Sequence, residues 1–143
     1  MIQPPSFDAS HSTHPLFPSG EWEGFYVYGQ GLGNGQHKMF SFLEFRNGGV
    51  EGDGYDDVAA FIWSGVYDTE LMTCKMTKRY ATHMVLYDGR VDENGIWGTW
   101  RILHYKGGFH IWPKKTPMDV AEEEKKVVEI ANPVLFSAKI LRG

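Results

Sequence analysis

The sequence predicts an all-β protein: a single closed eight-stranded antiparallel up-and-down barrel with one C-terminal helix. Three observations predict it. Aromatic residues make up 15% of the 143 positions and glycines number 17, which pairs strand formers with turn formers. Eight aromatic or β-branched runs recur about every ten residues from Trp22 to Pro113, each bounded by Gly, Asn or Asp. Every connection but one is short, which makes neighbours in sequence antiparallel neighbours in space. An open meander of eight strands would expose two edges, and closing it removes both. A two-sheet sandwich, the main competitor, usually needs longer crossing connections.

The runs span 22–29, 39–46, 49–56, 58–67, 70–80, 82–88, 94–104 and 107–112. Asn47-Gly48-Gly49, Asp88-Gly89, Glu93-Asn94-Gly95 and Lys106-Gly107-Gly108 carry turn chemistry between them. The one longer connection is Gln30 to Lys38. Alternation within the runs supports closure. Trp22, Gly24, Tyr26 and Tyr28 share a face opposite Glu23, Phe25 and Val27. Phe61, Trp63, Gly65 and Tyr67 oppose Ala60, Ile62, Ser64 and Val66. Several strands are apolar on both faces, so one face fills the barrel and the other needs a cover. A homo-oligomer, a dimer, is expected on that ground.

Residues 1–19 are rich in Pro, Ser and His and read as an irregular N-terminal arm, pinned to the body by Phe7, Leu16 and Phe17. Residues 20–113 form the barrel domain. Residues 114–143 read as a C-terminal helix and tail packing on the barrel. Thr116-Pro117-Met118-Asp119 supplies an N-cap, a Pro at the first helical position and a carboxylate in the first turn. Val120, Ala121, Glu124, Val127, Val128 and Ala131 continue at helical spacing, and Asn132-Pro133 stops the helix. The apolar stretch from Val134 to Leu141 follows.

Composition excludes several classes. With 42% hydrophobic and 22% charged residues the chain is neither disordered, collagenous nor a coiled coil. A net charge of −4 argues against a nucleic-acid partner. The single cysteine, Cys74, excludes a disulfide scaffold. No apolar run approaches the ~18 residues of a membrane span, and Met1 to Gly20 lacks the regions of a signal peptide. A cytoplasmic protein with no membrane partner is expected.

Gly20-Glu21-Trp22 resembles the G-x-W at the first strand of lipocalins and avidins, the calycin-type barrels. The likeness covers the strand pattern of residues 20–113 and implies an eight-stranded meander around a small ligand, with Trp22 at the closed end. In lipocalins that Trp packs against an Arg of the last strand, and the run 107–112 has none. The lipocalin T-D-Y signature is also missing. At the level of fold alone the chain is similar to allene-oxide-cyclase-like barrels, which carry isomerase and cyclase chemistry.

The lumen is the expected site, because barrels of this size hold one small ligand. Tyr26, Trp63, Tyr80, His83, Tyr87, Trp100 and His110 are the candidate ligand-binding residues, with Lys78, Arg101 and His104 as polar companions. Such a set offers apolar walls with a few orienting groups, and tyrosine, histidine and lysine together suit an anionic or carbonyl-bearing ligand. The leading expectation is a binding barrel holding a partly apolar small molecule. A second is an isomerase- or cyclase-type enzyme using His83 or Tyr80 with Lys78 for proton transfer. A third is a packed structural or interaction module.

Other motifs carry less. Gly29 to Gly35 precedes a strand rather than a helix and reads as a loop at the barrel mouth rather than a phosphate cradle. Gly52-Asp53-Gly54-Tyr55-Asp56-Asp57 reads as a solvated hairpin turn rather than a Ca²⁺ loop. His11 and His14 are too few ligands for a metal site. Cys74 reads as a buried inert thiol, and Glu122 to Lys126 as a solvated helix face. The residues name no cofactor and no metal.

Overall fold

The structure, a computed structural model, describes residues 14–29 and 35–115, together with Asp119, Ala121, Glu122, Glu124 and Lys125. Eight strands follow in order: β1 (Gly20–Tyr28), β2 (His37–Arg46), β3 (Gly49–Asp56), β4 (Ala60–Asp68), β5 (Thr73–Arg79), β6 (Met84–Asp92), β7 (Gly95–Ile102) and β8 (Tyr105–Pro113). Each pairs antiparallel with the next, and β8 returns to β1, so the sheet closes as an up-and-down barrel. The closing register sets Gly24 against Ile111 and Tyr26 against Phe109. Closure satisfies every edge, as the short connections predict.

Of the predicted C-terminal helix only Asp119, Ala121, Glu122, Glu124 and Lys125 are described, and they form no element of their own. The rest of that helix, the tail, Phe7 and His11 lie outside the described residues. Among the described residues no helix is long and apolar enough to cross a membrane.

Period-two alternation sorts the side chains. Met39, Leu43 and Phe45 of β2, Trp63 of β4 and Ile111 of β8 are buried in one core that fills the barrel. Several inward positions are glycine because neighbouring backbone passes too close for a Cβ. A Cβ on Gly52 would lie 1.9 Å from the Phe42 carbonyl oxygen. These glycines let the strands coil tightly enough to close.

The two ends differ. At one end residues 14–19 fold across the opening. Phe17 is fully buried, with its ring 4.6 Å from Tyr67 and 5.4 Å from Phe45. The Trp22 indole N–H donates to the Pro18 carbonyl at 2.9 Å, and the Phe45 N–H donates to Ser19 Oγ at 2.9 Å. Trp22 thus stands at the closed end. The tight turn at Asn47-Gly48, with φ of 52° and 84°, also lies there. The opposite end carries the β3–β4, β5–β6 and β7–β8 turns and is open among the described residues.

Three expected turns lie elsewhere. Asp88-Gly89 is inside β6, and the chain reverses only at the next predicted turn, Glu93-Asn94. Gly89 faces inward, where a Cβ would meet Ile96 at 2.7 Å and Phe109 at 3.0 Å, so it makes room for packing rather than turning the chain. Lys106-Gly107-Gly108 belongs to β8, and the turn falls at Leu103-His104, with Leu103 at φ 53°. A Cβ on Gly107 would meet the Val27 carbonyl oxygen at 1.9 Å and the Trp100 indole nitrogen at 2.7 Å. Gly52 to Asp56 is strand β3, and only the residues after Asp56 turn. In all three, inward glycine serves close packing, a need local turn chemistry does not reveal.

The outer surface mixes charge with exposed apolar side chains, including Phe42, Ile62 and Val66. Ile62 is flanked in register by Asp53 on β3 and Arg79 on β5.

Candidate functional site

Just inside the open end, β5 delivers Lys78 on the same inward face as Cys74 and Met76. Its side chain is wholly buried. The ammonium lies 2.7 Å from Oδ2 of Asp56 and 3.4 Å from Met39 Sδ. Five ring centroids surround it: Phe61 at 4.5 Å, Tyr26 at 4.9 Å, Tyr87 at 5.0 Å, Trp63 at 5.5 Å and Tyr80 at 5.6 Å. Ring faces and one carboxylate offset the cost of removing the charge from water.

Asp56 ends β3 on the inward face and divides its oxygens. Oδ1 accepts from the Val58 and Ala59 N–H groups at 2.8 and 3.2 Å and fixes the β3–β4 turn. Oδ2 accepts from Lys78 and from the Tyr80 hydroxyl. Asp57 makes a second cluster: Oδ1 accepts from the Tyr26 hydroxyl at 2.6 Å, and Oδ2 lies 2.6 Å from Nδ1 of His37. His37 stacks on Tyr26 at 4.8 Å.

These contacts set the protonation states. Burial pushes the Asp56 carboxyl up, but hydrogen bonds from Lys78 and Tyr80 and the Lys78 charge outweigh it and hold it below the usual carboxylate range. Burial pushes the Asp57 carboxyl up too, but its contacts with Tyr26 and His37 together outweigh it and lower it. Burial lowers Lys78, and Asp56 opposes that shift. The phenols of Tyr26 and Tyr80 are raised well above their ordinary value, first by burial and then by donating to Asp57 and Asp56 respectively. Burial, then the Asp56 charge, does the same to Tyr87. Around neutral pH the raised phenols are protonated and the lowered carboxylates are ionised. Cys74 is fully buried at a distance from this cluster, with its thiol pushed up to about 12 by burial.

Above the lysine layer is a cleft of about 330 Å³, lined by Tyr26, Tyr28, Val58, Tyr80, His83, Val85, Tyr87, Trp100, Ile102 and Tyr105. Trp100 is fixed by its indole N–H, which donates to the Val27 carbonyl at 2.9 Å. Tyr28 stands edge-on to it at 5.5 Å. Tyr87 is 3% exposed, and its hydroxyl has no hydrogen-bond partner among the described residues. Among the described residues no buried side-chain polar atom is left unsatisfied, so that hydroxyl is not sealed from solvent, and Tyr87 lines the cleft.

Of the residues singled out from the sequence, Tyr26, Tyr80, His83, Tyr87 and Trp100 come together at this cleft. His83 sits at the rim, stacked on Tyr80 at 4.7 Å. Trp63 lies deeper in the lumen, its indole N–H donating to Ser41 Oγ at 2.8 Å. His110 faces outward on β8, with Nε2 2.6 Å from the Asn94 carbonyl oxygen and its ring edge-on to Trp112. Arg101 and His104 are exposed outside the cleft. Sequence reasoning missed Asp56, Asp57, His37, Tyr28 and Tyr105. The alternation Val50, Gly52, Gly54, Asp56 was the signal that places Asp56 inward.

Among the described residues no group of three His, Cys, Asp or Glu side chains is placed to hold a metal ion. No family model matches the sequence, and no curated protein or solved structure matches it.

Proposed function

We propose that this barrel binds a small, partly apolar molecule in the cleft at its open end. The Tyr87 hydroxyl carries the reading: a nearly buried polar group without a protein partner, aimed into a cleft walled by aromatic and aliphatic side chains. The cleft volume lies at the small end of ligand sites, about 300–1,000 Å³. The rest of the lumen is filled by side chains, which confines a ligand to the mouth. The meander closure and the Trp at the closed end resemble calycin barrels, which hold small ligands inside. Binding is favoured over acid–base catalysis because Asp56, Asp57, Tyr26, Tyr80 and Lys78 are already committed to one another.

Native mass spectrometry of protein purified from its own host tests this. A reproducible added mass, lost when Val85→Trp fills the cleft, supports it. A bare mass in both proteins argues for the packed module.

For the outer surface we propose a second copy as partner. A twofold axis along β4 at Ile62 places Asp53 of each copy over Arg79 of the other and joins the two Ile62 side chains, a self-complementary pairing.

A further inference from the structure

We infer that the occupant of the cleft is an organic cation of the alkylated-ammonium class, an inference that rests on the binding function proposed above. The lining contains neither Lys nor Arg, and its one basic side chain, His83, sits at the rim stacked on Tyr80. The nearest ammonium, Lys78, is sealed beneath the cleft and paired with Asp56. Six aromatic side chains, Tyr26, Tyr28, Tyr80, Tyr87, Trp100 and Tyr105, line the walls, and aromatic rings attract positive charge. Lys78 shows what this lumen does with an ammonium, holding one among five rings at 4.5–5.6 Å.

The charge balance favours the same sign. Two carboxylates, Asp56 and Asp57, stand beneath and beside the cleft against one buried ammonium. His37 faces Asp57, and His83 sits at the rim. Because Tyr26 and Tyr80 donate their protons to those carboxylates, their oxygens offer only lone pairs to a ligand.

Alkylation follows from the hydrogen-bond inventory. Each carboxylate oxygen already has a protein partner: the Val58 and Ala59 N–H groups, Lys78 and Tyr80 for Asp56, and Tyr26 and His37 for Asp57. A primary ammonium brings three N–H donors that need acceptors. A quaternary one brings none, and its alkyl groups would pack on Val58, Val85 and Ile102. The Tyr87 hydroxyl remains to meet a polar arm on the same molecule.

The test is an NMR titration that reads the Trp100 indole N–H. The probes are choline, its neutral isostere 3,3-dimethylbutan-1-ol, the anion 3,3-dimethylbutanoate, and ethanolamine as a primary ammonium. Choline is expected to saturate the signal at a concentration about tenfold or more below the other three. In Tyr28→Leu the preference for choline over the isostere is expected to shrink, with isostere binding retained. Equal or tighter binding of the isostere or the anion overturns the cation while leaving the cleft a ligand site. A Trp100 signal that ignores choline overturns the cation too, and the host-purified mass then decides the binding function separately. Undiminished preference in Tyr28→Leu overturns recognition by the rings.

Discussion

The ammonium of Lys78 stands 2.7 Å from Oδ2 of Asp56, and neither side chain touches solvent. The contact ties β5 to the end of β3, two strands away, and so braces the lumen beneath the cleft. Removing one partner strands the other charge in a low-dielectric interior. Lys78→Met is expected to destabilise the fold by about 3–5 kcal/mol. The double variant Lys78→Met/Asp56→Asn is expected to recover most of that loss, since no unpaired charge remains. Urea denaturation of the four proteins in the cycle measures the coupling, and additive effects would contradict it.

Stability should fall at both extremes of pH. Asp56 is depressed in the folded state, so its contribution is complete above its unfolded value of about 3.9 and drains away as pH falls through the folded value. Half-exposed Asp57 adds less in the same direction. Tyr26, Tyr80 and Tyr87 are raised, so the unfolded chain loses those protons first, and stability falls as pH rises above about 10. Lys78 is lowered and works the other way at high pH, one group against three. Of the seven tyrosines, these three are expected to yield tyrosinate absorbance only as the circular dichroism collapses. Smooth ionisation of all seven in a folded protein would contradict the upward shift of these three.

The plug at the closed end is separable from the cleft. Phe17→Ala removes a fully buried ring between Phe45 and Tyr67 and is expected to cost about 3–5 kcal/mol. The Trp100 indole signal is expected to stay in place, because that ring lies at the other end. A thermal melt and one NMR spectrum check both.

If two copies meet across β4, sedimentation equilibrium at micromolar concentration returns a dimer. Asp53→Arg places like charges opposite each other and is expected to give monomer. Adding Arg79→Asp restores the opposite-charge pairing and the dimer. A clean monomer for the unaltered protein would contradict the pairing.

The strand number, the order and the closure were legible because hydrophobic alternation and short connections act locally. Cys74, Met76 and Lys78 share a face by counting alone. Glycine was harder to read. At Gly54 a Cβ would strike the Phe40 carbonyl oxygen at 2.2 Å and the Phe61 ring at 2.9 Å. That residue is therefore small because of strand packing, yet in sequence it looks like the centre of a turn. The misreading moved Asp56 from the lumen to solvent and hid its pairing with Lys78. His110 shares β8 with Phe109 but faces the other way, a distinction that rests on a single residue of register. The aspartate–tyrosine clamps join β1, β3 and β5 through distant residues, and no local pattern encodes such pairings.

One end of this barrel is packed shut, and the ligand proposed here enters at the other. Five tryptophans report on it: Trp22 at the plug, Trp63 in the filled lumen, Trp97 and Trp112 outside it, and Trp100 in the cleft wall. The direct measurement is the indole N–H region of an NMR spectrum before and after adding a small-molecule extract of the host. The Trp100 signal is expected to move while Trp22 and Trp63 hold still. Movement confined to Trp97 and Trp112, or no movement at all, would contradict it.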